Sequence, residues 1–193
     1  GVYPYGATAT LTATPNEGYH FVQWSDGNTD NPRTMTIISD ITLSAEFAIN
    51  VYSVRFLDYD GTELKTDSVE YQSAATAPAD PTREGYTFIG WDKDFSHVTD
   101  HMTVTAQYQI NRYRVRFFDY DNTLLKTDSV EYQAAATAPA NPYREGYTFI
   151  GWDKEFDNVK EDLVIVAKYD IHTFTATFID KESDLTISTV EDD

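Results

Sequence analysis

The chain contains no cysteine, which removes disulfides, thiolate metal sites and cysteine nucleophiles together. It is also short of basic residues, with 14 Lys and Arg against 32 Asp and Glu and a formal net charge of −18. That field repels phosphate backbones and anionic lipid, and no basic stripe offsets it locally, so nucleic acid is excluded as a partner. No apolar run approaches the ~20 residues of a membrane span, so membrane insertion by this fragment is not expected. Gly1-Val2-Tyr3-Pro4 lacks the basic-then-apolar order of a signal peptide. The pattern starts and stops within a repeat, and we expect the signal and anchor to lie outside the fragment.

Aromatic residues, by contrast, are abundant: 14 Tyr, 11 Phe and 3 Trp against 2 Met. A hydrophobic content of 41% argues against wholesale disorder, and aromatic side chains suit half-buried pleated surfaces. The dominant signal is a repeat. Tyr52–Ile110 recurs as Tyr113–Ile171, an offset of 61 residues, without a gap and with about two-thirds of the aligned positions identical. Phe174, Ala176, Phe178 and Asp180 restart the unit, while Tyr5 to Pro15 and Gly18 to Trp24 match its back half only. The expected layout is a back half (1–49), two full repeats (50–110 and 111–171) and a truncated start (172–193).

Within one unit, Tyr52, Val54 and Phe56 alternate with polar residues, the period of a strand with one buried face. Asp60-Gly61, or Asp121-Asn122 in the second copy, supplies a tight turn, because Gly and Asn best tolerate positive φ. A return strand follows through Leu64–Tyr71, then an alanine-rich stretch at 74–78 that fits either one helical turn or a crossover loop. Strands are expected again at 86–89 and 102–108. Between Tyr108 and Tyr113 the joint is too short and too poor in Gly and Ser for a flexible tether. Successive units are expected end to end as a rod, with a radius of gyration above the ~16 Å of a compact globule of this length.

The string Tyr-x-Val-x-Phe-x-Asp-x-Asp-Gly (52–61), Val69-x-Tyr71, Gly85-Tyr86-Thr87-Phe88-Ile89-Gly90-Trp91-Asp92 and Val104-Thr105-Ala106-Gln107-Tyr108 resembles the Listeria–Bacteroides repeat, which is related to internalin B-repeats. The resemblance covers both full units, and the first half-unit is similar to more divergent relatives. It implies a mainly β fold: small antiparallel-sheet modules, β-grasp-like, in secreted or surface-displayed bacterial proteins. It carries no catalytic residue and no cofactor. Gln72 and Gln133 stand where a Tyr-Gly pair is common, as Tyr5-Gly6 shows.

One Trp per unit, Trp24, Trp91 and Trp152, is expected to anchor a module with little core to spare. The aromatics beside them, Tyr86 and Phe88 with Tyr147 and Phe149, are expected to do the same. The competing role is an aromatic platform for stacking sugars or a partner. The run Asp58–Glu63 has its glycine fourth, whereas a calcium loop needs glycine at position six, so a solvated hairpin turn accounts for it better. His97 and His101 are spaced like a zinc pair, but the second copy carries Asn158 and Asp162 there, so no metal site is expected. No hydrolase, P-loop or zinc-protease motif occurs, and the chain is read as non-enzymatic. Its expected role is a monomeric spacer or stalk outside the cell, the alternative being adhesion to host protein or glycan through a repeated face. Differences gather at 96/157, 97/158, 99/160, 103/164 and 109/170; a repeated binding surface would be preserved, so this drift favours the spacer.

Overall fold

In the computed structural model, Val51–Leu57 forms a strand because its alternation presents Val54 and Phe56 to one face, where both are completely buried. The structure describes residues 1–179 and 186–187. The chain divides into two units, Gly1–Gln109 and Ile110–Asp193. Among the described residues there is no helix.

The first unit opens with the half-repeat: β1 (Ala7–Leu11), β2 (Tyr19–Trp24), β3 (Arg33–Ile37) and β4 (Ala45–Ile49). Antiparallel β1–β3 and β2–β4 form two separate two-stranded sheets. The full repeat follows as β5 (Val51–Leu57), β6 (Glu63–Glu70), β7 (Tyr86–Trp91) and β8 (Met102–Ile110), one sheet in the order β6-β5-β8-β7. β5 and β6 make the expected hairpin, with Val51 opposite Glu70 and Phe56 opposite Lys65. The loop closes through Asp58 N–H to Thr62 O (2.8 Å) and Gly61 N–H to Asp58 O (3.0 Å). Gly61 has φ +87° and Asn122, its counterpart in the second repeat, +66°, so the turn needs a residue at ease in the left-handed region.

The sheet is mixed. β5 lies parallel to β8, Val54 opposite Met102 and Phe56 opposite Val104. This puts the sequence-distant first and last strands of the repeat side by side and closes the core. Val54, Phe56, Val69, Ala75, Val98 and Val104 are its buried members, with Trp91, Phe95 and Met102 packed on them.

The alanine-rich stretch forms no helical turn. It is an extended crossover pinned on both sides. Gln72 and Ala75 donate backbone N–H to Val98 O and Phe95 O, and Val98 N–H returns to Ser73 O. On the other side Thr76 N–H bonds the Asp67 carboxylate (2.7 Å), and the Lys65 ammonium bonds Thr76 O. Its side chains are small where it crosses the core at Ala75.

The second unit repeats this plan by itself. β9 (Arg112–Phe118), β10 (Leu124–Glu131), β11 (Tyr147–Trp152) and β12 (Leu163–Ile171) form a sheet in the order β10-β9-β12-β11. β12 changes partner along its length. Leu163–Val166 pairs in parallel with β9, and Ala167–Ile171 pairs antiparallel with β11. Beyond it, β13 (Phe178–Ile179) and β14 (Thr186–Ile187) pair antiparallel. The rest of the expected truncated repeat, Asp180 included, lies outside the described residues.

Candidate functional site

Three features of the described residues could serve a function: a duplicated arginine–tyrosine cluster, the tryptophan-centred aromatic rows, and the joint between the half-repeat and the first full repeat.

The cluster grows from the hairpin turn. Asp58 sits at the start of the loop, and its Oδ1 accepts both the Tyr59 N–H (2.8 Å) and the Tyr108 hydroxyl (2.8 Å). The turn thereby projects Tyr59 beside β8, edge-on to Tyr108 at 5.7 Å. Arg83, in the loop before β7, slots its guanidinium between two rings, 3.9 Å from the centre of Tyr59 and 3.6 Å from that of Tyr86. Such stacking on an aromatic face contributes about 0.5–2 kcal/mol depending on desolvation. Burial, followed by the bond to Asp58, pushes the Tyr108 hydroxyl up to about 12.

The second repeat rebuilds this with Arg144 between Tyr120 (3.9 Å) and Tyr147 (3.5 Å), and with Tyr169 bonded to Asp119 (2.6 Å). Tyr169 is likewise pushed up to about 12. Tyr59 and Tyr120 remain about half exposed, so each repeat presents one face of the arginine–tyrosine stack. Sequence reasoning missed Arg83 and Arg144; their identity in both copies, between Pro81 or Pro142 and the Gly-Tyr pair, was the available signal.

The tryptophans lie at the border of the core. Trp24 is buried, and its Nε1–H donates to Asp30 O at 2.8 Å. Trp91 and Trp152 are half-buried against Phe56 (5.1 Å) and Phe117 (5.0 Å), which hold the centre. Phe88 lies between Trp91 (5.4 Å) and Tyr108 (5.8 Å), and Phe149 between Trp152 and Tyr169 in the same way. Tyr86 and Tyr147 belong to the arginine stacks. The most hidden residues outside the strands, Val98 and Val159, were not foreseen. Both stay Val in a loop where their neighbours change, which was the signal for them.

The histidines work singly. His101 Nδ1 accepts the Ser53 N–H at 2.9 Å, and in the second repeat Asp162 Oδ1 accepts the Arg114 N–H at 2.8 Å. The position therefore requires a hydrogen-bond acceptor for the opening of the first strand, and imidazole and carboxylate both supply one. His97 bonds the hydroxyl of its neighbour Ser96. Among the described residues no three His, Cys, Asp or Glu side chains converge on a metal-sized space. The acidic turn carboxylates are engaged locally: Asp60 accepts the Thr62 N–H, which holds its carboxyl below the usual range.

The joint inside the first unit centres on Asn50, the single residue between β4 and β5. Its N–H donates to Gly18 O (2.7 Å) and its O accepts the Tyr71 N–H (2.9 Å). Its side chain reaches His20 (2.9 Å) and the Tyr52 hydroxyl (3.3 Å). The Tyr71 ring packs against Gly18, so close that a Cβ there would fall 2.0 Å from Cδ1, and its hydroxyl donates to Glu17 at 2.8 Å. Gly18, at φ +79°, is thus required for both its conformation and its absent side chain.

Comparison with known proteins finds two matching family models. Residues 1–51 match the divergent InlB B-repeat domain, and residues 52–112 and 113–168 each match the Listeria–Bacteroides repeat domain. An Evansella cellulosilytica protein provisionally named a Gly-rich membrane protein is 30% identical over 84% of this chain. A second from that organism, provisionally named a membrane protein, is 32% identical over 72%. Internalin H of Listeria monocytogenes is 45% identical over 42%. The chain spans only 22%, 24% and 15% of these proteins. With two matched copies covering most of its length, the chain belongs to the Listeria–Bacteroides repeat family and begins with a divergent member of the InlB B-repeat type.

Proposed function

We propose that this segment is a non-catalytic spacer of a bacterial surface protein, holding other domains away from the cell. The observation that carries the reading is the joint at Asn50. A linker one residue long, bonded through its backbone to both neighbouring modules and clamped by Tyr71 on Gly18, has no freedom to swivel. Stiffness is what a spacer needs, and no pocket is required for it. The relatives' names, an internalin and two membrane proteins, support placement at the surface. The test is residual dipolar couplings measured on the chain. Residues 19–49 and 51–108 should share one alignment tensor, and separately averaged tensors would overturn the spacer.

The duplicated arginine–tyrosine cluster favours a second reading, adhesion to host protein or glycan, because both copies keep the same exposed stack. Binding of host cells that disappears in a folded Tyr59→Ala/Tyr120→Ala variant would promote it over the spacer.

A further inference from the structure

The two full repeats share one core but not one outer face. Val54, Phe56 and Val69 recur as Val115, Phe117 and Val130, buried in each copy. The opposite face of the sheet changes, and the changes run in one direction. Leu57 becomes Phe118, Glu63 becomes Leu124, and Thr103 and Thr105 become Val164 and Val166. The strand registers join these exchanges: Leu124 lies opposite Phe118, Phe118 opposite Val166, and Arg116 opposite Val164. An apolar strip therefore crosses β10, β9 and β12, with Leu124 52% and Val164 39% exposed. By the alternation of β12 it lies on the other side of that strand from Tyr169, apart from the arginine–tyrosine stack.

Two observations separate this strip from changes that the fold itself requires. First, the sheet forms without it. Thr and Val are both β-branched and both suited to a strand, and the first repeat makes the same parallel pairing with Thr103 and Thr105. Second, the charge of the face changes with it. In the first repeat Arg55 is paired with Glu63 at 2.9 Å. In the second, Leu124 stands where that carboxylate was, and Arg116 makes no ion pair among the described residues; its guanidinium lies 5.9 Å from the centre of the Phe118 ring. Arg114 and Lys168 are added where the first repeat has Ser53 and Gln107. On this face Arg55 is set against Glu63 and Glu70 in the first repeat. In the second, Arg112, Arg114, Arg116 and Lys168 outnumber Glu131 and Asp170. A chain of net charge −18 thus carries a small cationic and apolar face on its second repeat and not on its first.

We propose that the outer face of the second repeat docks an acidic segment of a partner protein, whose apolar side chains cover Leu124, Phe118 and Val166 and whose carboxylates meet Arg116 and Arg114. Charge complementarity selects this occupant. A guanidinium without a carboxylate, beside an apolar strip, is completed by a chain that offers both kinds of group. An acidic polysaccharide has no apolar side chains for the strip. An extended anionic surface such as a bilayer meets the repulsion of the whole chain, whereas a short segment meets the local excess of positive charge. A second copy docked through the same face would set Arg116 and Arg114 against their own kind. The proposal does not depend on the spacer reading, since the face belongs to one repeat and needs no fixed joint.

The experiment is an NMR titration of the whole chain with a capped octapeptide of alternating Glu and Leu. Two control octapeptides carry Lys in place of Glu or Ser in place of Leu, and neither should bind. Saturable shifts from the Glu-Leu peptide are expected at 114–118, 124–127 and 164–168, and not at 53–57, 63–66 and 103–107. Arg116→Gln should weaken binding about 10-fold by removing a charge-assisted contact. The variant Leu124→Glu/Val164→Thr/Val166→Thr imports residues with which the first repeat already folds, and it should not bind. The reciprocal Ser53→Arg/Glu63→Leu/Thr103→Val/Thr105→Val exchange should confer binding on the first repeat. No shifts with the Glu-Leu peptide, equal shifts at both repeats, or equal binding of either control overturns the proposal. So does binding at this face of hyaluronate oligosaccharides or phosphatidylserine vesicles in place of the peptide. Self-association that the triple variant abolishes also overturns it, by identifying the occupant as a second copy.

Discussion

The two full repeats differ in sequence in the loop before the last strand and along that strand, and at fewer positions in the first strand and the hairpin turn, yet their aromatic geometry is nearly superimposable. Phe56 lies 5.1 Å from Trp91 and 5.2 Å from Phe95, and Phe117 lies 5.0 Å from Trp152 and 5.2 Å from Phe156. His101 is exchanged for Asp162, and both accept the same strand N–H. Gly61 is exchanged for Asn122, and both hold positive φ. Met102 is exchanged for Leu163, and both pack on the same core face. What persists is therefore a set of physical requirements: an acceptor here, a left-handed residue there, apolar volume elsewhere. Residue identity is retained where one side chain meets several requirements at once, as Arg83 and Arg144 do between two rings.

That comparison would break most visibly at the core. Phe117→Ala should destabilise the second repeat by about 3–5 kcal/mol, since the ring is completely buried and its removal leaves a cavity. Trp152→Ala, at the half-buried border of the core, should cost less, about 2–3 kcal/mol. Denaturant unfolding followed by NMR signals of each repeat measures both. Equal costs, or a Trp variant worse than the Phe variant, would place the anchor at the tryptophan after all.

An alkaline titration tests whether the tyrosine clusters are equivalent. Tyr108 and Tyr169 have folded-state values raised from the ordinary 10 to about 12. The fold therefore favours their protonated forms. Their stabilisation is complete below pH 10 and declines as the pH rises towards about 12. Melting temperatures should fall across that window, and the Tyr108→Phe/Tyr169→Phe variant should show a shallower fall. A wild-type curve that is flat there would mean that the hydroxyls are not held by Asp58 and Asp119.

Smaller effects sharpen the equivalence. Asp162→Ala should cost about 1 kcal/mol by removing the acceptor for the Arg114 N–H, whereas Asp162→His should be close to neutral at neutral pH, because the first repeat already works with His101. Asn122→Gly, importing the turn of the first repeat, should stabilise by a few tenths of a kcal/mol to about 1, since Asn is strained in the left-handed region more than Gly is. A destabilised Asn122→Gly would show that the Asn side chain contributes more than its backbone tolerance.

The N-terminal unit teaches the complementary lesson about how much could be read in advance. Its likeness to a back half was legible from Tyr5-Gly6, Gly18 and Trp24. So were the alternation of Val54 and Phe56 and the turn at Gly61. The left-handed backbone at Gln72 and Gln133, both at φ +64°, was foreshadowed only by Gly6 standing at the same place. The alanine-rich stretch offered no period to separate a helical turn from a loop. Its extended course is imposed by Asp67 and Lys65 on one side and the Phe95–Val98 segment on the other. The parallel pairing of β5 with β8 left no mark in either strand, because each alternates in the same way whichever neighbour it finds.

The amino-acid sequence alone determined the 61-residue period, the strand faces and the turns, since these depend on neighbours a few residues apart and on the φ each residue tolerates. Tertiary structure decided what depends on contacts between distant segments. It placed Phe56 rather than Trp91 at the centre, threaded Arg83 between two tyrosines, and laid Tyr71 on Gly18. It also set Ile41 half exposed on the wall of an open cavity, whereas Met102, just as apolar, packs on the core because β5 lies beside it.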